Sequence, residues 1–270
     1  MTLSEAAVRE ILSLATEFAL EAGALLALRQ PDVREVVATK SSPTDMVTEV
    51  DSETEALLVR RILAARSNDG ILGEEGANRA GSNGVRWVID PLDGTTNYIY
   101  GYPAYGVSIG VEVDGAMAVG VVHDASRDET FAAWAGGGAS VNGKTIEVTS
   151  QSDLRLSLVG TGFGYDAEVR RRQAAVTGQV LPLVRDIRRS GSAAIDLCSV
   201  ACGRLDGYYE FGLNEWDRAA GMVIVREAGG RAAVFESPFG LALNVASGPA
   251  LFNGLHVLVE EAVRGLGAGS

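Results

Sequence analysis

Lysine is nearly missing from this chain. Of 23 basic residues only Lys40 and Lys144 are lysines, against 35 aspartates and glutamates, and the formal net charge is -12 over 270 residues. A balance this acidic repels nucleic-acid phosphates and anionic membranes, so neither is expected as a partner. Cysteine is as scarce. Cys198 and Cys202 in "GSAAIDLCSVACG" are the only two, four apart on one face of an expected helix. They lack the CxxC spacing or nearby ligands of a metal or redox site, and read as small buried hydrophobes. His123 and His256 each sit alone in an apolar stretch and read as structural. No continuous apolar run reaches the ~18 residues of a membrane helix. The start, "MTLSEAAVREILSLATEFALEAG", lacks a basic leader and an unbroken apolar core, so a cytoplasmic location is expected.

What is present is an ordinary globular balance, 47% hydrophobic and 21% charged. Val8, Ile11, Leu12, Ala15, Phe18, Ala22 and Leu26 recur at helical spacing, predicting a helix over 5–29 with Thr2 and Glu5 as a capping box. "DVREVVATK" reads as a strand, "KSSPTD" as a loop, and 46–66 as a second helix. Strands follow at "GIL", "VRWVID", "GVSIGVEV", "AMAVGVVHD", "ETFAAWA" and "IEVTS", with hairpins at Asp114-Gly115 and Asn142-Gly143. After about residue 150 the pattern alternates: strands at "LSLVGTGF", "DGYYEFG", "RAAVF" and "NVASGPALF", helices near 166–184, 192–204, 216–228 and 253–264. A layered α/β sandwich of two subdomains is expected. Residues 1–150 are expected to form an α+β unit and 151–270 an α/β unit.

The stretch "WVIDPLDGTTNYIYG", from Trp87 to Gly101, ends an apolar strand on Asp90 and places Asp93 just beyond, with no basic residue in between. A buried, unpaired carboxylate costs several kcal/mol. Solvent, backbone N–H groups or a metal are the ways out. A bare turn is the bland reading, but other acids accumulate: Glu74 and Glu75 in "ILGEEG", Asp45 and Asp51 in "TDMVTEVD", Asp217 in "NEWDRAAG". Mg²⁺ takes oxygen ligands and is held by a few carboxylates plus water and phosphate. Asp90 and Asp93 are not spaced for one face of a regular strand. A turn at Pro91 would aim both inward with the Leu92 carbonyl between them, a two-metal cradle. Gly94 allows close backbone approach, and Thr95 and Thr96 begin a short helical turn whose N–H groups favour phosphate.

These segments, "KSSPTDMVTEVD", "GEE", "WVIDPLDGTTNYIYGYP", "GSAA" and "YYEFGLNEWDRAAG", resemble in order those of the inositol monophosphatase family of Mg²⁺-dependent, Li⁺-sensitive phosphatases. The resemblance runs from Lys40 to Gly221. It implies an αβαβα sandwich, usually a homodimer, of the kind shared with fructose-1,6-bisphosphatases. It implies a first metal on Glu74, Asp90 and the Leu92 carbonyl, a second on Asp90, Asp93 and Asp217, and a weaker third on Glu74. Thr95 and Asp51 would orient the attacking water, with Glu74 also catalytic. Gly94, Thr95 and Thr96 would meet phosphate. Gly191, Ser192, Ala193, Glu210 and Asp217 would line the alcohol side, and Lys40 would ride a mobile loop closing near the site. Trp87 and Trp216 read as core rather than as substrate contacts.

The implied reaction is hydrolysis of a phosphorylated polyol, myo-inositol monophosphate, by direct attack of a metal-activated water. Rivals of the same class are fructose 1,6-bisphosphate, histidinol phosphate and 3′-phosphoadenosine 5′-phosphate. "GTTNYIYGYP" and Glu210 look more like the inositol enzymes. A rival of another class is a regulatory, protein-binding role, as some relatives have in transcription complexes.

Overall fold

The computed structural model describes residues 3–30, 38–39, 46–47 and 49–267. Lys40, Asp45, the "KSSPTD" loop and most of "DVREVVATK" lie outside them, as does the cap expected at Thr2.

Helix α1 (Glu5–Arg29) is capped by Ser4, whose hydroxyl accepts from the Ala7 N–H at 3.3 Å. It is long and apolar enough to span a bilayer by length and composition, contrary to the sequence expectation. Its stripe of Ile11, Ala15, Phe18, Ala22 and Leu26 is buried instead against a sheet, where Phe18 meets Trp87. Helix α2 (Glu49–Ala65) packs beside it.

Among the described residues, strands β1 (Ala38–Thr39) and β2 (Met46–Val47) pair as a separate antiparallel ribbon. The first large sheet holds β3 (Gly70–Gly73), β4 (Asn78–Arg79), β5 (Val85–Asp93), β6 (Gly106–Val113), β7 (Ala116–Asp124), β8 (Glu129–Trp134), β9 (Gly138–Val141) and β10 (Lys144–Thr145), in the order β10-β9-β8-β7-β6-β5-β3-β4. Only the β3–β5 pair in it is parallel. Both Asp114-Gly115 and Asn142-Gly143 take positive φ and turn hairpins as their sequence requires. Helix α3 (Thr95–Tyr100) follows β5 directly.

The second sheet is β12-β11-β13-β15-β14, from β11 (Leu158–Thr161), β12 (Asp186–Arg188), β13 (Gly207–Phe211), β14 (Arg231–Phe235) and β15 (Leu243–Ser247). Its helices are α4 (Ala167–Val180), α5 (Ala193–Ala201), α6 (Glu215–Glu227) and α7 (Pro249–Gly267). "IEVTS", expected as a strand, carries no ladder beyond Thr145. It crosses between the sheets with the Val148 N–H bonded to Ala228 O, so its apolar side chains serve the inter-sheet core rather than an edge.

The layers run α1/α2, first sheet, α5/α6, second sheet, α4/α7, an αβαβα sandwich. The central layer is held close by missing side chains. A Cβ on Gly110 would stand 2.8 Å from Ala219 Cβ, and one on Gly120 2.4 Å from Ala220 O, so α6 rests on the backbone of β6 and β7. That contact brings Asp217, in the first turn of α6, to the end of β5.

Candidate active site

Strand β5 does not stop at Asp90. It continues to Asp93 through a bulge: Asp90 pairs with Ser108 and Asp93 with Gly106, three residues spanning what two span on β6. Alternation would put residues three apart on opposite faces. The inserted residue restores both aspartates to one side. The expected turn at Pro91 is therefore a bulge within a continuing strand, and the result for the side chains is the same. The Leu92 N–H donates to Asp90 Oδ1 at 3.0 Å, and the Leu92 carbonyl accepts from Thr95 Oγ1 at 3.1 Å.

Four further pieces close round this bulge. Glu74 follows β3, and the loop beyond it is shaped by buried Glu55, which accepts from the Glu75 and Ala77 N–H groups at 2.8 and 2.9 Å. Gly94, at φ 91°, turns the chain from β5 into α3 and places Thr95 over the bulge. The N-terminus of α5 is directed at Asp93: Ser192 Oγ donates to its Oδ2 at 2.6 Å and the Ala194 N–H at 2.7 Å. Asp217 closes the capping box of α6, accepting from the Asn214 N–H at 2.6 Å, while its side chain also lines the cavity. Helix capping and cavity lining are both true of it.

The cavity measures about 390 Å³. Glu74, Asp90, Leu92, Asp93, Gly94, Thr95, Gly191, Ser192, Ala193, Glu210 and Asp217 all line it, as expected. Three expectations change. Asp51 is fully buried and does not line the cavity; Thr95, which does, has its Oγ1 3.0 Å from Asp51 Oδ1. Thr96 faces a neighbouring cleft instead. Trp216 lines the cavity, with a buried indole N–H that lacks a partner, whereas Trp87 is core and donates to Asp69 at 2.8 Å. Lys40 lies outside the described residues.

Sequence reading missed Asp196, Arg189, Phe163 and Tyr165. Asp196 had a signal: it is the one acid in the apolar helix "AAIDLCSVA", four residues after Ser192 and so on its face. The aromatic loop and Arg189 carried none.

Among the described residues, seven carboxylates (Glu74, Asp90, Asp93, Asp166, Asp196, Glu210, Asp217) and one cation, Arg189, line the cavity. Burial, followed by repulsion from Glu74 and Asp93, pushes Asp90 well above the usual carboxylate range, and it shares a hydrogen bond with Glu74. Burial raises Asp93 to about 6 despite the opposing bonds from Ser192 and Ala194. Burial and then Asp93 raise Asp217 to about 8. These groups are held against their own preference to be apart. All are oxygen donors, the set a hard divalent cation selects. Among the described residues, no three side chains already converge as a finished coordination sphere. The donor chemistry and the uncompensated charge are what fit Mg²⁺.

The sequence pattern of the inositol monophosphatase family matches residues 7–249. The chain belongs to that family. It is 46% identical over 237 residues to the inositol-1-monophosphatase SuhB of Mycobacterium tuberculosis, covering 81% of this chain and 82% of that one. It is 40% identical over 222 residues to the Nus factor SuhB of Pasteurella multocida, covering 82% and 83%. Among solved structures, an IMPase from Thermotoga maritima superposes with a TM-score of 0.86 at 30% identity, over 95% of this chain and 99% of that one. Membership of the inositol monophosphatase family supports phosphoric monoester hydrolysis on a phosphorylated substrate, in a family generally dependent on Mg²⁺.

Proposed function

We propose that this protein hydrolyses myo-inositol monophosphate to inositol and phosphate. The observation that carries the reading is the charge of the cavity: among the described residues, seven carboxylates line it together with a single arginine. Such a cavity repels a phosphate dianion unless cations are bound. Glu74, Asp90 and the Leu92 carbonyl would hold one Mg²⁺, Asp90, Asp93 and Asp217 a second, and Glu74 a weaker third. Bound there, Mg²⁺ offsets the phosphate charge and makes water easier to deprotonate.

The chain's own groups do the positioning. Thr95 Oγ1 has one proton and two acceptors in reach, Asp51 and the Leu92 carbonyl. With that proton donated to one of them, an Oγ1 lone pair can accept a hydrogen bond from the attacking water and so orient it. Asp51, buried behind it, is a positioning residue. The backbone of Gly94 and Thr95 approaches the phosphate. Glu210, Gly191, Ser192 and Ala193 face the alcohol, with Glu210 accepting from ring hydroxyls. Fructose 1,6-bisphosphate, histidinol phosphate and 3′-phosphoadenosine 5′-phosphate are the alternative substrates.

Phosphate release from a panel of about six monoesters, with and without Mg²⁺, tests the reading over the ordinary range of pocket selectivity. Inositol monophosphate should lead the panel, EDTA should abolish turnover and Li⁺ should inhibit it. Full turnover in excess EDTA refutes the proposal. The relatives named Nus factor SuhB favour a second reading, a regulatory protein-binding role. Under it, an Asp93→Asn variant without phosphatase activity keeps its protein partner in a pull-down.

A further inference from the structure

Gly94 and Gly191 both line the cavity, one on the side assigned to phosphate and one on the side assigned to the alcohol. Both take left-handed φ, 91° and 97°. Neither has a side chain, so other groups press close against the back of each. Behind Gly94 stands the Ala104 carbonyl, whose oxygen is 2.7 Å from where a Cβ would be. Behind Gly191, beside the Arg189 guanidinium, stands the Asn97 amide, with Nδ2 at 2.9 Å from that point.

The two backings are joined. Asn97 Nδ2 donates to the Ala104 carbonyl at 2.7 Å and to the Ser190 carbonyl at 2.9 Å. A primary amide has two N–H donors, and both are used. Ala104 leads into β6 of the first sheet, whereas Ser190 lies between β12 and α5, 93 residues from Asn97. Asn97 is buried and stands behind the cavity wall rather than in it. Its own carbonyl accepts from the Tyr102 N–H at 2.8 Å, which folds the loop after α3 back toward Ala104. Ser190 is held from the other direction by hydrogen bonds to Asp196. The turn so fixed carries Ser192 and Ala194 to Asp93, where the Ser192 hydroxyl and the Ala194 N–H donate.

We infer that Asn97 is a positioning residue: its amide clasps the turn at Gly94 to the turn at Gly191 and so fixes the distance between the phosphate and alcohol sides of the cavity. A substrate whose hydroxyls are placed by the alcohol side feels that distance. One held by its phosphate alone does not. Hydrogen bonds weaken steeply once their geometry is off, so a small shift of one wall against the other costs selectivity before it costs the fold. The proposal rests on the phosphatase reading and adds to it a residue that touches no substrate atom.

The test uses two variants. Asn97→Asp keeps the shape but sets a carboxylate against two carbonyl oxygens, and Asn97→Ala removes the amide without adding charge. Each is assayed with Mg²⁺ on inositol monophosphate and on p-nitrophenyl phosphate, whose leaving group has no further hydroxyl to place. Should another monoester lead the panel, it replaces inositol monophosphate. The readout is the ratio of the two kcat/KM values. A smaller folded fraction lowers both alike and leaves the ratio where it was. In both variants the ratio should fall roughly 10-fold, through KM more than kcat, as for one hydrogen bond lost on the alcohol side. An unchanged ratio in a folded variant, including equal losses on both substrates, overturns the clasp and leaves the phosphatase reading intact. Loss of folding in both variants makes Asn97 purely structural and also overturns it. No turnover of any monoester by the wild-type protein overturns both.

Discussion

Glu210 offers the sharpest test of how this site chooses its alcohol. It lies on β13, half-buried, and its carboxylate accepts from the Tyr208 hydroxyl. Arg218, an arginine near it in the sequence, is occupied with the carbonyls of Leu213 and Asn214, whereas the charge of Arg189 favours the ionised form of Glu210. The carboxylate lies over Gly162, where a Cβ would be 2.0 Å from Oε2, so it is fixed at the cavity wall without touching Asp93 or Asp217. Burial raises its pKa to about 7; the Tyr208 bond lowers it and Asp196 raises it. One unit above that value it is roughly nine-tenths ionised, and one unit below roughly one-tenth. An ionised acceptor for a ring hydroxyl contributes ~1.5–3 kcal/mol, against ~0.5–1.5 for a neutral one. At pH 8, Glu210→Gln should therefore lower kcat/KM for inositol monophosphate roughly 5- to 10-fold, the ~1–1.5 kcal/mol between an ionised and a neutral acceptor at ~1.4 kcal/mol per decade. As pH falls through the midpoint the wild-type group becomes neutral and the gap should narrow. Bound Mg²⁺ moves the midpoint lower without changing the direction. p-Nitrophenyl phosphate, which lacks the hydroxyls, should be almost unaffected. Equal losses on both substrates, or a gap independent of pH, would refute the assignment.

Gly162→Ala should reproduce the selectivity loss of Glu210→Gln by displacing the same carboxylate; the double variant should be little worse than either single one, and additive losses would contradict the shared cause. Asp93→Asn and Asp217→Asn should each cost roughly 10²-fold or more in kcat at saturating Mg²⁺ while the circular dichroism spectrum is retained. Near wild-type rates in both would show that the second metal is misplaced. The metal-free protein should also lose stability as pH rises. Asp93 at about 6 and Asp217 at about 8 lie above the ordinary 3.8, so the folded state binds their protons more tightly than the unfolded chain. Their contribution is full below about 3.8 and is lost as pH climbs through 6 and then 8. The melting temperature in EDTA should fall between about pH 4 and 8, Mg²⁺ should flatten the curve, and a flat curve in EDTA would contradict the buried repulsion.

Local chemistry in the sequence determined a good deal. Helical periodicity set α1, and the paired Asp-Gly and Asn-Gly signals set two hairpins, because these depend on near neighbours alone. Asp90 and Asp93 were legible for a similar reason, since carboxylates at the end of an apolar strand with no cation between Trp87 and Gly101 need an explanation wherever they lie, and Glu74 and Asp217 joined them through the order of the family's motifs. Tertiary structure decided what each one faces. A bulge against β6, invisible from β5 alone, puts Asp90 and Asp93 on one side. Glycines in β6 and β7 let α6 approach and deliver Asp217, although nothing in "NEWDRAAG" names that neighbour. Asp51 is a positioning group because Thr95 stands between it and the cavity, a fact of packing order rather than of sequence spacing. Arg189, Phe163 and Tyr165 carried no signal in the sequence. Their place beside the site follows from loops that β11, β12 and α4 carry to the same rim, and contacts across such distances along the chain leave no periodic trace within it.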